Sequence, residues 1–146
     1  MSTPALDKLF AQAQYTLEII GFEARTSLKG EDPQPVMRTA LTLAIETSAD
    51  FPGANSRNLS VRIVGPAATF DRTEDGQVVV GACRFSNGEY EVVVMATEAF
   101  LSHCLLVLST MPRSRCFIVL TTQTKVEQLA EDCVLVLEAA VQAKPQ

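Results

Sequence analysis

The stretch Asp75-Gly76-Gln77-Val78-Val79-Val80-Gly81-Ala82-Cys83-Arg84-Phe85-Ser86-Asn87-Gly88-Glu89-Tyr90-Glu91-Val92-Val93-Val94-Met95 decides how the centre of this chain is read. Asp-Gly and Asn-Gly supply the positive φ angles of tight hairpin turns, and β-rich segments flank each pair. Together they predict three antiparallel strands at about 59–70, 77–85 and 89–96. The middle strand is apolar on both faces, which suits a central position. Pro66 demotes the second half of the first strand to an edge or a bulge.

Upstream, residues 36–48 alternate with period two. Met37, Thr39, Leu41, Leu43 and Ile45 share one face; Arg38, Ala40, Thr42, Ala44 and Glu46 share the other. One polar face predicts a half-buried antiparallel strand. Residues 26–35 and 49–58 carry the breakers Gly30, Pro33, Pro35, Pro52 and Gly53, and read as loops. At the start of the chain, Thr3 and Pro4 suit a helix N-terminus. Leu6, Leu9, Phe10, Ala13, Leu17 and Ile20 fall on one helical face, and Gly21 fits a C-cap. A helix over 4–20 is therefore expected, with a strand from Tyr15 to Ala24 as the competing reading.

Downstream, Thr97 caps a predicted helix at 98–111, which Pro112 stops. Residues 115–121 read as a buried strand, because five apolar residues run unbroken. Thr124 and Glu127 have capping-box spacing, ahead of a helix from 125 to about 142. The expected order is α-β-β-β-β-α-β-α over a single α+β domain, residues 1–146. Its expected form is one mostly antiparallel five-stranded sheet with helices packed on one face. The segment 89–121 would then be a right-handed crossover, with a parallel strand at 115–121.

The chain of 146 residues is 47% hydrophobic and 20% charged, which is a globular composition. A net charge of −5 disfavours nucleic-acid backbones and anionic membrane surfaces. The N-terminus shows no basic region followed by an apolar run, and no stretch is long and apolar enough to span a bilayer, so a cytoplasmic protein is expected. Cys83, Cys104, Cys116 and Cys133 lack CxxC spacing and sit in apolar flanks, as buried free thiols do.

Catalytic and metal-binding patterns are missing. There is one histidine, His103, and no Walker, GxGxxG or Gly-x-Ser-x-Gly motif. Cys116 beside Arg115 is the best placed thiol, yet it opens a buried strand, where thiols are inert. No cofactor and no metal site is expected. The residues Thr121-Thr122-Gln123-Thr124, placed between a strand and a helix start, are a weak candidate anion site. Thr122 and Thr124 would offer hydroxyls there, with Arg113 or Arg115 as the cationic anchor.

One surface departs from this plainness. After Glu98 the helix at 98–111 has no charged residue. Ala99, His103, Leu106 and Thr110 form its outer stripe, away from the arc of Phe100, Leu101, Cys104, Leu105, Val107, Leu108 and Met111. Such a stripe is expected to be covered by a neighbouring helix or by another chain. The leading functional expectation is a non-enzymatic protein-binding or assembly module, a small acidic homo-oligomer of adaptor or chaperone type that buries this stripe. A binder of small anionic ligands, or an enzyme acting on them, is the first alternative. A structural component of a larger assembly, such as a phage or secretion apparatus, is the second.

Overall fold

The computed structural model describes residues 14–46, 59–73, 75–86, 89–124 and 133–145. Nine strands and one helix occur among them. They are β1 (Gln14–Lys29), β2 (Val36–Ile45), β3 (Leu59–Gly65), β4 (Asp71–Arg72), β5 (Val78–Val79), β6 (Gly81–Ser86), β7 (Glu89–Met95), α1 (Glu98–Leu108), β8 (Ser114–Thr124) and β9 (Cys133–Pro145). Seven strands close into a barrel in the order β1-β2-β3-β7-β6-β9-β8, while β4 and β5 form a separate two-stranded ribbon. The expected α+β fold, an open five-stranded sheet with several helices, is therefore corrected to a mostly β closed barrel.

The two misread helices share one physical cause. In β1, Tyr15, Leu17 and Ile19 point into the core, and the register against β2 then slips between Ile19 and Gly21. The extra residue, Ile20, shifts the phase of the apolar pattern. In β9 the register against β8 slips where Thr121 faces Glu138 and Thr122 faces Val136, leaving Leu137 as the extra residue. Val136 and Val141 are consequently both buried, five positions apart. A β-bulge inserts one residue and breaks period two, so a bulged strand imitates helical spacing. Of the first predicted helix, residues 14–20 are strand, and residues 4–13 lie outside the described residues. Of the last, residues 133–142 are strand, and 125–132 lie outside the described residues. Thr124 ends β8, and its partner in the expected capping box, Glu127, also lies outside the described residues.

The central stretch folds into hairpins but not into a simple meander. β6 and β7 pair antiparallel with Ser86 opposite Glu89. The Asn87-Gly88 pair between them lies outside the described residues. Asp75-Gly76 turns the small β4–β5 ribbon, with Gly76 at a φ of 90°, where a side chain would be strained. The turn is pinned by Gly76 N–H donating to the Thr73 carbonyl (3.0 Å) and by Arg72 Nη1 donating to the Gly76 carbonyl (3.0 Å). β3 stops before Pro66 and pairs with β7 in parallel, not with β6. The proposed crossover to 115–121 is corrected as well: β8 pairs antiparallel with β1 and β9 and does not neighbour β7.

Closure turns the apolar faces inward. β2 contributes Leu41, Leu43 and Ile45; β3, Val61 and Ile63; β7, Val92 and Val94; β8, Cys116, Ile118 and Leu120. Fully burying such aliphatic side chains stabilises by about 1.5–3 kcal/mol each. Met37 breaks the expected face of β2: it is exposed, because the β1–β2 hairpin extends past the barrel wall. Helix α1 packs against β3 and β9 and adds Leu101, Cys104 and Leu108 to the same core. Its first turn is capped as expected, with Phe100 N–H donating to Thr97 Oγ1 (3.2 Å).

Gly65 marks the seat of that helix. A Cβ there would collide with the Ala96 carbonyl oxygen and press on Leu101 Cδ1 at 3.1 Å. The main chain is fixed at this point by Ala96 N–H donating to Val64 O (2.8 Å) and Ala67 N–H donating to Ala96 O (2.8 Å). Gly65→Ala should therefore lower the melting temperature by the equivalent of about 1–3 kcal/mol. Gly30→Ala, where open space surrounds the added methyl, should leave it nearly unchanged. Thermal denaturation of both variants checks this, and equal melting temperatures would contradict the described contact.

Candidate functional site

The surface divides into three regions that chemistry can use. The first is the outer face of α1. Ala99, Ser102, His103, Leu106, Ser109 and Thr110 are all exposed, and Leu106 is 69% exposed. Among the described residues no second helix covers the stripe. Two of its hydroxyls are occupied locally: Ser109 Oγ donates to Leu106 O (2.6 Å), and Thr110 Oγ1 donates to Val107 O (2.7 Å). Thr110 also lies 3.8 Å from Cys116 Sγ, tying the end of the helix to β8. What remains is an uncharged surface centred on Leu106, with His103 beside it.

The second region is a cleft of about 880 Å³ between the β4–β5 ribbon and the outer barrel wall. Ala82, Val93, Met95 and Leu135 form its floor, and Asp71, Arg72, Thr73 and Glu91 stand on its rim. Glu91 is already 3.6 Å from Arg62 Nη1 in an ion pair, and Arg72 bonds its own turn. The third is a hollow of about 200 Å³ on the outer face of β1, β2 and β3, edged by Arg25, Arg38 and Arg62. Neither hollow was visible as a motif. Each gathers residues from distant segments that only strand pairing aligns.

Among the described residues of the expected anion site near Thr121–Thr124, Thr122 and Arg115 do not come together. Thr122 is buried in β8, and the Thr124 side chain lies outside the described residues. Arg115 sits at the other end of the same strand, seven residues and roughly 23 Å from Thr122. It is also committed: Nη2 donates to Glu18 Oε1 at 2.6 Å and Nε donates to Glu18 Oε2 at 3.3 Å. Its guanidinium carbon stands 5.3 Å from the Phe117 ring centre, and Lys144 Nζ lies 5.1 Å from the same ring. Arg113 is exposed in the turn before β8. The helix start expected at 125 lies outside the described residues.

Among the described residues, no three histidine, cysteine or carboxylate side chains cluster as a metal site would require. No helix among them is long and apolar enough to cross a membrane. Cys83, Cys104 and Cys116 are buried, and burial pushes the Cys104 thiol up to about 11. A thiol held neutral in an apolar wall is a poor nucleophile. Comparison with protein-family models, curated proteins and solved structures returned no match.

Two predictions follow from these side chains. Thiol reagents should modify Cys83, Cys104 and Cys116 quickly only after denaturation; rapid labelling of all three in the native protein would contradict their burial. The second concerns the Glu18–Arg115 pair, which joins β1 to β8. Its hydrogen bond and charge hold Glu18 below the ordinary carboxyl value of 4.5. A carboxylate lowered in the folded state stabilises above its unfolded pKa, and that contribution fades as pH falls through the folded value. Arg115→Ala should therefore melt lower than wild type at neutral pH, with the gap narrowing at about pH 3. The gap should be modest, since exposed pairs contribute little. Melting curves at both pH values decide it, and a gap that widens in acid would contradict the pairing.

Proposed function

We propose that this chain is a non-enzymatic protein-binding module, a small acidic homo-oligomer of adaptor or chaperone type working in the cytoplasm. The observation that carries this reading is the exposed, uncharged face of α1. A solvent-facing helix normally carries lysine, arginine, aspartate or glutamate on its outer side. This one presents Ala99, His103, Leu106 and Thr110 instead, on a helix whose opposite side is locked into the core by Leu101, Cys104 and Leu108. A rigid helix with an apolar centre and small polar neighbours suits docking of another polypeptide, because little side-chain freedom is lost on binding. The buried thiols fit a reducing compartment.

A second reading rests on the cleft beside the β4–β5 ribbon. Its size falls within the range of small-molecule pockets, and its apolar floor and polar rim match their usual make-up. Ligands that bind there would raise the melting temperature by mass action. A thermal-shift panel of nucleotides, phosphates and carboxylates separates the two readings: a concentration-dependent rise supports the second.

The leading reading predicts a dissociation of stability from binding. Leu106→Asp changes an exposed position and should shift stability by no more than about 0.5 kcal/mol. It should nonetheless abolish capture of the proteins that the wild-type chain retains from its native host. Leu108→Asp, two residues on, buries an unpaired carboxylate and should unfold the protein. Melting curves and parallel pull-downs check this. If Leu106→Asp retains the same proteins, the α1 face is not the docking surface.

A further inference from the structure

The barrel closes through β1 and β8, but only the first part of β1 takes part. Gln14–Ile19 pair with β8, and Ile19–Lys29 pair with β2. From Ile20 to Lys29, no strand among the described residues pairs with the other edge of β1. An edge of this length exposes a ladder of free N–H and C=O groups, and a lone edge strand is usually shortened, bulged or covered. Here it is long, and no strand among the described residues covers it. Ile20, Phe22, Leu28 and Met37, four of the eight large apolar side chains exposed among the described residues, sit on this one β1–β2 hairpin.

We propose that this edge pairs with the same edge of a second copy of the chain, antiparallel, about a two-fold axis at Ala24. The sequence of the edge is self-complementary in that register and selects the occupant. Placing Ala24 opposite its own copy sets Glu23 against Arg25 of the partner subunit, and Arg25 against Glu23 of the partner subunit. Among the described residues neither Glu23 nor Arg25 has an ion-pair partner within its own chain. A shift of one residue in either strand moves the two-fold axis between residues, and a carboxylate then no longer faces a guanidinium across both halves. Two-fold symmetry doubles every favourable pair, as an isologous contact requires. Cross-strand opposite charges and apolar pairs each contribute to sheet stability, while like charges directly opposite oppose it.

The pairing joins the two β1–β2 hairpins into a continuous four-stranded sheet between barrels. Its position on β1 separates self-association from α1. The proposal rests on the β1 edge alone and stands or falls separately from the reading of α1 as a docking surface.

Charge reversal tests the register itself. Glu23→Arg and Arg25→Glu each set like charges opposite one another at both pairs. Each should weaken dimerisation on the order of tenfold or more, without lowering the monomer's melting temperature. The double variant Glu23→Arg/Arg25→Glu should restore it. Mixing the two single variants matches opposite charges at both pairs and should yield a one-to-one heterodimer. Analytical ultracentrifugation reads all four cases. Independently, Ala24→Cys should cross-link into a covalent dimer under mild oxidation, whereas Leu28→Cys, far from its own copy in this register, should not. A wild-type chain that stays monomeric at high micromolar concentration overturns the proposal. So does a dimer indifferent to both reversals, or cross-linking at Leu28→Cys but not at Ala24→Cys.

Discussion

The pairing of β1 with β8 is the interaction on which the rest of the structure depends. Without it the seven strands would form an open sheet with two long edges and one apolar face in water. With it, Tyr15 lies opposite Leu120, Leu17 opposite Ile118 and Ile19 opposite Cys116, and the apolar faces of all seven strands turn toward one another. A closed barrel removes exposed edges by construction. The bidentate contact between Arg115 and Glu18 lies on the outside of this seam, beside residues that bury on the inside.

Closure also decides which parts of the surface are left for interaction. β1 is longer than its contact with β8, so its second half runs on beside β2, and no strand among the described residues pairs with its other edge. The bulge at Ile20 falls where the strand leaves β8, and lets it change direction there. Helix α1 fills one side of the core through three residues and therefore presents its remaining face outward. The β4–β5 ribbon stands off the wall and makes the large cleft with it. Each of the three regions is a consequence of where strand pairing stops, rather than of a motif in the chain.

Much of the strand content was legible: period-two alternation marks β2, turn pairs bound β6 and β7, and an unbroken apolar run marks the core of β8. Leu41, Leu43 and Ile45 point inward as their spacing requires, and Thr97 caps α1 as its position before Glu98 implies. The exposed stripe of Ala99, His103, Leu106 and Thr110 was legible for the same reason: helical geometry fixes which residues share a face. The bulges at Ile20 and Leu137 hid the rest. One inserted residue changes the face of everything after it, and the resulting spacing of apolar residues near 17–20 and 133–140 resembles a helix. Long-range pairing was hidden too. Nothing in the local sequence of β3 tells that it lies parallel to β7, or that Arg25, Arg38 and Arg62 converge on one hollow. The weak anion site drew on Thr122 and Arg115 as neighbours, and the extended run of β8 sets them far apart.

The most direct test of the account is nuclear magnetic resonance of the backbone and its cross-strand contacts. The closed barrel predicts extended-chain chemical shifts throughout Gln14–Lys29 and Cys133–Pro145. It also predicts short proton–proton distances between Tyr15 and Leu120 and between Leu17 and Ile118, across the seam. Helical shifts over residues 133–142, together with no contact between β1 and β8, would contradict the barrel and every surface derived from it.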